Sequence, residues 1–219
     1  LVDEGDPREA EATRRLRAVP AALGERPRDE AALERGDLRG QARLGRGRRA
    51  IAERVDVQLR DYRALTGQFT KLVSIEMLEA VGYEYLPTYF AIAGRLLAPG
   101  GRFALQTITM PDDRFERYRR GVDWMQAYVF PGSLIPSLGA IERAAAAGGL
   151  RVDARDDIGP HYAPTLAAWR ARFVAALPTV TAQGFPAAFV RTWLLYLAFS
   201  EAAFAERTLA DHQLLLTRA

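Results

Sequence analysis

The sequence contains no cysteine. This excludes disulfides, thiolate metal sites and a cysteine nucleophile, and it fits a reducing compartment. Histidine is also scarce, since His161 and His212 are the only two and lie far apart, so we expect no metal site. No apolar run reaches the roughly 18 residues that span a bilayer, and no signal peptide opens the chain. We therefore expect a cytoplasmic protein.

Lysine is almost absent as well, because Lys71 is the only one, and residues 1–50 contain neither an aromatic residue nor isoleucine. The same 50 residues hold twelve of the arginines. Arginine-rich stretches can bind nucleic acid. Here aspartate and glutamate are interspersed among the arginines and cancel most of their positive electrostatic field. We expect no nucleic-acid partner. Because few apolar positions are available for burial, we expect 1–50 to be a low-complexity, disordered or loosely helical segment.

Two origins for residues 1–50 stay open. Alanine, arginine, glycine and proline use GC-rich codons, and reading such DNA in the wrong frame would give this composition. The alternative is a natural low-complexity extension. Resequencing the gene would separate the two, because only a frameshift would reveal a glycine-rich strand, turn and helix in another frame.

Residues 51–219 have the composition and patterning of an α/β domain. Alternating or short apolar runs predict strands at 55–59, 71–75, 102–109, 150–156 and 212–217. Helical spacing predicts helices at 85–97, 137–147, 163–177 and 186–207, the first of them ended by Pro99-Gly100-Gly101. The alternation of strands and helices predicts a mostly parallel sheet with helices on both faces.

Five segments of this second part carry recognisable motifs. They are VQLRDYR at 57–63, SIEMLEAVG at 74–82, YVFPG at 128–132, GPHYAPTLAAW at 159–169 and YLAFSEAAF at 196–204. In this order they resemble the cyclopropane-fatty-acid synthases and the related mycolic-acid methyltransferases. The resemblance covers about three quarters of the chain.

The resemblance implies a seven-stranded methyltransferase sheet whose last strand is antiparallel, with S-adenosylmethionine as cosubstrate. It also implies that the alkene of an unsaturated acyl chain attacks the cofactor's methyl group, giving a carbocation. Bicarbonate then takes a proton, and a cyclopropane ring or a methyl branch results. This chemistry needs a positioned proton acceptor and a dry apolar tunnel. The implied substrates are acyl chains of phospholipids, with peripheral contact at the inner membrane face left open.

Two residues match the family's bicarbonate site. Glu79 follows the strand predicted at 71–75, and the carboxyl ends of strands are where open α/β sheets place their chemistry. Tyr162 matches the tyrosine whose hydroxyl donates to bicarbonate. The alternatives are a solvated glutamate on a helix and a tyrosine that only packs.

Two further positions of that site depart from the family pattern. Gln106 stands where well-studied members carry histidine; glutamine can donate and accept hydrogen bonds but cannot titrate. Ser200 stands at the position of a cysteine, and serine lacks the polarisable sulfur. Ser200 could instead bond to its own helix backbone.

The resemblance also assigns binding residues. Asp61, Tyr62 and Arg63 match the loop that flanks the cofactor's adenine, with a plain polar turn as the alternative. Ile108, Trp124 and Phe204 would contact the acyl chain, on segments that line the tunnel or rest on a membrane surface. A plain hydrophobic core is the alternative for the aromatic residues.

The elements that grip the cofactor are missing from this sequence. We find no first strand with a glycine-rich turn and no acidic residue ending a second strand. The expected fold class is therefore an incomplete Rossmann-like methyltransferase sheet, at 51–219, that retains the C-terminal strands. An unpaired strand edge would favour aggregation. Besides the enzyme, an inactive acyl-lipid-binding module and a subunit that needs a partner chain or a second copy stay open.

Overall fold

The computed structural model describes residues 55–218, so the predictions for 1–50 lie outside the described residues. The chain divides into two units, Leu1–Arg60 and Asp61–Ala219. Residues 55–60 of the first unit have no regular secondary structure. The strand predicted at 55–59 is therefore wrong. Its alternating apolar side chains are not buried on a sheet face, since Val57 is 88% and Leu59 93% exposed.

The second unit consists of four strands, seven α-helices and short 3₁₀ turns within the described residues. The strands are β1 (Phe69–Ile75), β2 (Leu97–Thr109), β3 (Leu150–Asp157) and β4 (Ala210–Arg218). The helices are α1 (Leu86–Leu96), α2 (Asp112–Tyr118), α3 (Trp124–Tyr128), α4 (Leu138–Ala147), α5 (Tyr162–Ala175), α6 (Leu177–Ala182) and α7 (Ala187–Ala205). The 3₁₀ helices are Tyr62–Ala64, Leu78–Ala80, Tyr83–Tyr85 and Gly159–His161. The strands and helices predicted after residue 70 are confirmed, with shifted ends.

The four strands form one sheet in the order β1-β2-β4-β3. β1 is parallel to β2, whereas β4 is antiparallel to both β2 and β3. The predicted antiparallel last strand is thus confirmed. Because β1, β2 and β3 run in one direction, their carboxyl ends lie at the same edge of the sheet, where α/β proteins place ligands.

One face of the sheet carries the main hydrophobic core. Phe103 and Leu105 of β2 and Leu214 and Leu216 of β4 are almost completely buried in one cluster with residues of α1 and α4. Full burial of each such side chain contributes roughly 1.5–3 kcal/mol before the opposing loss of chain entropy. This core fixes the sheet and thereby the positions of the strand ends.

The segment Pro99-Gly100-Gly101 lies inside β2 and does not end α1, which corrects the prediction. α1 already ends at Leu96. The pairing of β1 with β2 jumps from Phe69↔Leu97 to Lys71↔Arg102, so the extra residues of β2 form a bulge. Gly100 has a φ of +73° there, which a glycine adopts without strain.

The other face of the sheet is covered only in part. Near the carboxyl ends of the strands, Ile108 of β2 packs with Leu166 of α5 and with Leu197 of α7. Further back, Val73 and Ile75 of β1 point to the same face and remain 69% and 64% exposed. In the part of the chain that the structure describes, no helix is long and apolar enough to cross a membrane.

Candidate active site

Polar side chains gather where β1 and β2 end and β4 begins. β1 leaves the sheet at Glu76, whose backbone N–H donates to the carbonyl oxygen of Gln106 at 2.9 Å. Glu76 has a φ of +49°, in the left-handed region that non-glycine residues rarely adopt. Such a conformation costs about 1–3 kcal/mol and occurs mostly at functional sites.

The Gln106 amide is the centre of this group. Its Nε2 lies 2.9 Å from Oε1 of Glu76, 3.3 Å from the hydroxyl of Tyr162 and 3.3 Å from Oδ2 of Asp211. Its Oε1 accepts a hydrogen bond from Nε2 of Gln213 at 2.9 Å. Because an amide has only two N–H hydrogens, the three acceptors compete for them. The side chain is held at both ends and can orient a ligand.

Tyr162 is the first residue of α5 and faces Gln106. Its hydroxyl donates to Oε1 of Glu76, and its ring stacks on Phe204 of α7 with the ring centroids 4.9 Å apart. Burial, together with the hydrogen bond to Glu76 and the nearby Asp211 carboxyl, raises the pKa of Tyr162 far above its ordinary value. The phenol therefore keeps its proton and acts as a hydrogen-bond donor.

Glu79 lies on the turn that follows β1, anchored by the buried side chain of Leu78. Its Oε1 accepts hydrogen bonds from Oγ1 of Thr107 at 2.9 Å and from the backbone N–H of Ile108. Its Oε2 is buried and has no hydrogen-bond partner in the described structure. Burial raises the pKa of Glu79, although the bonds from Ile108 and Thr107 oppose this rise. One carboxyl oxygen is thus fixed and the other is free.

Ser200 and the apolar residues Ile108 and Phe204 lie next to this polar group. Phe204 and Ile108 belong to one apolar cluster, which also contains Tyr162. Ser200 is buried on α7 and lies one helical turn before Phe204, so the two share a face of the helix. The structure therefore brings five predicted residues together and places Ser200 beside them.

The remaining predicted residues make contacts elsewhere. Trp124 begins α3 and packs against Tyr128 with ring centroids 5.8 Å apart. Asp61 and Arg63 form an ion pair of 2.6 Å with each other, and hydrogen bonds from Arg63 lower the pKa of Asp61 to about 2. Tyr62 packs edge-on against Tyr89 of the main core at 5.6 Å. The Asp61–Arg63 turn is therefore largely satisfied by its own contacts.

Sequence reasoning missed Asp211 and treated Glu76 as a weaker candidate than Glu79, with a helix cap as the alternative. Asp211 is fully buried on β4, beside Gln106, whereas the predicted strand began one residue later at His212. The signal that could have found it is an acidic residue at the start of an apolar strand, two positions from Gln213. Glu76 has no such signal, because its place in the site depends on the turn after β1.

A line of aromatic side chains extends from the same apolar cluster along α7. Phe189 stacks on Trp193 at 5.7 Å, and Trp193 contacts Tyr196 at 4.9 Å. Tyr196 in turn meets Phe130 edge-on at 5.6 Å. Tyr196 and Trp193 pack against the cluster of Leu166 and its neighbours, so an apolar wall adjoins the polar group.

Comparison with known proteins identifies the family of this chain. The family model described as mycolic acid cyclopropane synthetase matches residues 41–214. The tuberculostearic acid methyltransferase UfaA1 of Mycobacterium tuberculosis is 44% identical over 182 residues, covering 81% of this chain and 43% of that protein. The cyclopropane-fatty-acyl-phospholipid synthase of Escherichia coli K12 is 34% identical over 165 residues, covering 75% of this chain and 41% of that protein.

Solved structures show the same fold. The mycolic acid cyclopropane synthase CmaA1, complexed with SAH and CTAB, superposes with a TM-score of 0.65 at 25% identity, covering 73% of this chain and 59% of that one. The cyclopropane synthase MmaA2 of Mycobacterium tuberculosis also superposes with a TM-score of 0.65. It is 21% identical, and the match covers 77% of this chain and 64% of that one. The chain spans less than half the length of the two curated relatives above. It belongs to the mycolic acid cyclopropane synthetase family.

Proposed function

We propose that this site transfers a methyl group to the double bond of an unsaturated fatty-acyl chain of a phospholipid, forming a cyclopropane ring or a methyl branch. The observation that carries the proposal lies at the carboxyl end of β2, against an apolar wall: Gln106 contacts Tyr162 there, and Glu79 accepts hydrogen bonds from Thr107 and Ile108. The cosubstrate S-adenosylmethionine would supply the methyl group.

Bicarbonate fits the polar side of this site. Glu79 has a buried oxygen without a partner, which can accept the hydroxyl of bicarbonate. Gln106 and Tyr162 are neutral donors whose hydrogens bond to Glu76 in this structure and would turn to the other oxygens of bicarbonate. Held by these residues, bicarbonate would supply the base for the proton that the methylated chain releases. Gln106 orients the anion without titrating.

The apolar side of the site suits an acyl chain. Ile108, Phe204 and the aromatic side chains of α7 would exclude water from a cationic reaction centre, with Ser200 beside them. We propose that Trp124 contacts the chain further from the reacting carbons. Exposed Phe199 of α7 and Trp169 of α5, at 51% and 46%, are candidates for peripheral contact with a membrane surface.

The turn at Asp61, Tyr62 and Arg63 is proposed to flank the adenine of the cosubstrate. The charges of Asp61 and Arg63 are paired with each other, so they hold the turn and leave its backbone for the ligand. An Arg63→Ala substitution should weaken S-adenosylmethionine binding through loss of this turn. Unchanged affinity by calorimetry would reject the assignment.

The proposal is tested by incubating the purified chain with S-adenosylmethionine and vesicles of a monounsaturated phospholipid. Mass spectrometry of the released fatty acids should detect the gain of one CH₂ unit. Tyr162→Phe removes the donor and should lower the rate about 100-fold. Tyr85→Phe, which alters an exposed tyrosine, is the matched control.

Glu79→Gln should reduce the rate about as much as Tyr162→Phe does, because the amide group replaces a hydrogen-bond-accepting oxygen by a donor. Glu142→Gln on the exposed side of α4 is its control. A rate that is unchanged in Glu79→Gln and Tyr162→Phe would contradict the proposed site.

A second candidate is an acyl-lipid-binding module or a partner subunit without transfer activity. The favouring observation is the exposure of Val73 and Ile75 on β1, which pairs only with β2 among the described strands. Binding of a fluorescent fatty acid without any affinity for S-adenosylmethionine would support this candidate over the enzyme.

A further inference from the structure

Asp211 is a fully buried carboxyl group that the reaction outlined above does not use. Its residue exposure is 0%, and the Ile158 backbone N–H donates to its carbonyl oxygen at 2.8 Å, which fixes this part of β4. Its Oδ2 accepts from Nε2 of Gln106 at 3.3 Å. Its Oδ1 is buried without a hydrogen-bond partner in the described structure. A buried polar atom without a hydrogen-bond partner lowers the free energy of unfolding, unless a ligand or a proton satisfies it.

The neighbours of Asp211 are acidic or neutral. Glu76 and Glu79 come from the turn after β1, Tyr162 from α5 and Gln106 from β2. His212, the next residue of β4, bonds through Nδ1 with Thr109 instead. Within residues 55–218, Asp211 forms no ion pair with a lysine or an arginine. Burial first, and then the charges of Glu76 and Glu79 and a hydrogen bond with Glu76, raise the pKa of Asp211 to about 7, although a hydrogen bond from Tyr162 opposes this rise.

These acidic groups repel an anion unless one of them is neutral. Bicarbonate beside the buried carboxylates of Glu79 and Asp211 would meet like charges in a poorly solvated place, where repulsion is strong. A protonated Asp211 removes one of these charges. It also turns its free oxygen into a hydrogen-bond donor, which an anion can satisfy.

We propose that Asp211 in its protonated form is an additional donor to the anion bound between Gln106 and Tyr162. Asp211 thereby makes anion binding dependent on one proton. The inference rests on the proposed bicarbonate site and adds a residue and a pH dependence to it. No bond is made or broken in this step; a proton already on Asp211 is shared with an oxygen of the anion.

The direction of the pH dependence follows from the linkage between anion binding and protonation of Asp211. Neutral Asp211 favours the anion, so the affinity is full below the pKa of Asp211 and falls as the pH rises above it. For one linked proton the dissociation constant rises about tenfold per pH unit. Asp211→Asn keeps a neutral donor of the same size at every pH and should abolish the dependence.

The experiment is a calorimetric titration of the full chain with bicarbonate at about pH 7 and about pH 9. Nitrate, a planar anion whose charge does not change in this range, is the second probe. Wild type should bind each probe about 50-fold more weakly at the higher pH, because Asp211 is about half protonated at pH 7 and almost fully ionised at pH 9. Asp211→Asn should bind equally at both, and Asp211→Leu, which has no donor, should bind weakly at both.

The outcomes separate this inference from the proposed function. Equal binding by wild type at both pH values would overturn the role of Asp211 but leave the anion site intact. A pH dependence that persists in Asp211→Asn would also overturn it, and would assign the titration to Glu79. Failure of the folded wild type to bind either anion at any pH would overturn both proposals. Circular dichroism of each variant establishes that it is folded.

An infrared measurement checks the protonation directly. The carbonyl stretch of a protonated carboxyl group should be present in wild type at about pH 6 and lost on raising the pH. The Asp211→Asn variant should lack this change. An identical band change in both proteins would contradict a protonated Asp211.

Discussion

Burial decides the charge of the individual residues around Gln106. Glu79 and Asp211 are taken out of water and have raised pKa values, whereas Glu76 is exposed and accepts bonds from Gln106 and Tyr162. The proposed bicarbonate site needs both kinds of group. A carboxylate must accept the hydrogen bond of the anion's hydroxyl, and neutral groups must donate to its other oxygens. Residue type alone does not distinguish them.

The first residue-scale prediction concerns the stability of Asp211→Asn. Asp211 has a pKa of about 7 in the folded chain against a reference of 3.8, so the folded state binds the proton more tightly. The contribution of Asp211 to stability is fully present below pH 3.8 and is lost as the pH rises through about 7. Between about pH 5 and pH 8, wild type should lose about 2 kcal/mol relative to the variant.

Urea unfolding of both proteins at the two pH values measures this difference. Asp113→Asn, which removes an exposed carboxyl of α2, is the matched control. A gap between wild type and Asp211→Asn that stays constant with pH would show that Asp211 does not titrate in this range.

At the same scale, the family resemblance pointed to Glu79, Gln106 and Tyr162, all of which lie near the carboxyl end of β2. Glu79 and Tyr162 lie within recognisable motifs, whereas Gln106 was assigned from the position of the family's histidine. Asp211 was missed because the last strand was predicted to begin only at His212, and because its burial depends on how β4 inserts between β2 and β3. That placement joins residues far apart in the chain.

At the scale of elements, α1 and α4 approach each other through glycine. A Cβ added to Gly94 would lie 2.2 Å from the carbonyl oxygen of Gly148, and one added to Gly148 would meet the backbone of Phe90 at 2.5 Å. The two helices flank the core face of the sheet, so their spacing sets the position of β2.

We predict that Gly94→Ala destabilises the fold by about 3 kcal/mol, because the backbones must separate to admit the methyl group. The matched control is Gly121→Ala, where an added Cβ meets nothing within 4 Å. The control should change stability by less than about 1 kcal/mol. Equal chemical-denaturation midpoints for the two variants would contradict the close helix packing.

The elements predicted after residue 70 follow from strong periodicity, as in α4, which begins at the Ser137 cap and ends at Gly148. The strand at 55–59 was predicted from the same kind of evidence and is wrong. Alternation predicts a strand only where a neighbouring strand accepts its backbone hydrogen bonds. The bulge at Gly100 was misread because a Pro-Gly-Gly run is typical of a helix end as well as of a distorted strand.

At the scale of the whole molecule, the exposed side of β1 is the surface where association between chains is expected. Val73 is 69% exposed on a strand that has a partner on only one side among the described strands. Exposed apolar strands at a sheet edge promote association between chains.

We predict that the purified chain self-associates as its concentration rises, and that Val73→Lys reduces this association. Val122→Lys, at a position that is 78% exposed outside the sheet, should leave it unchanged. Sedimentation velocity over a concentration series measures the effect. A wild type that remains monomeric throughout would mean that this face is not an association surface.

The measurement that tests the central claim most directly is a calorimetric titration of the folded chain with S-adenosylmethionine. Methyl transfer at the Glu79–Gln106–Tyr162 site requires this cosubstrate, so we predict saturable binding at one site per chain. A folded chain that gives no binding signal would contradict methyl transfer by this chain. It would leave an acyl-lipid binder, or a subunit that needs a partner to supply the cosubstrate.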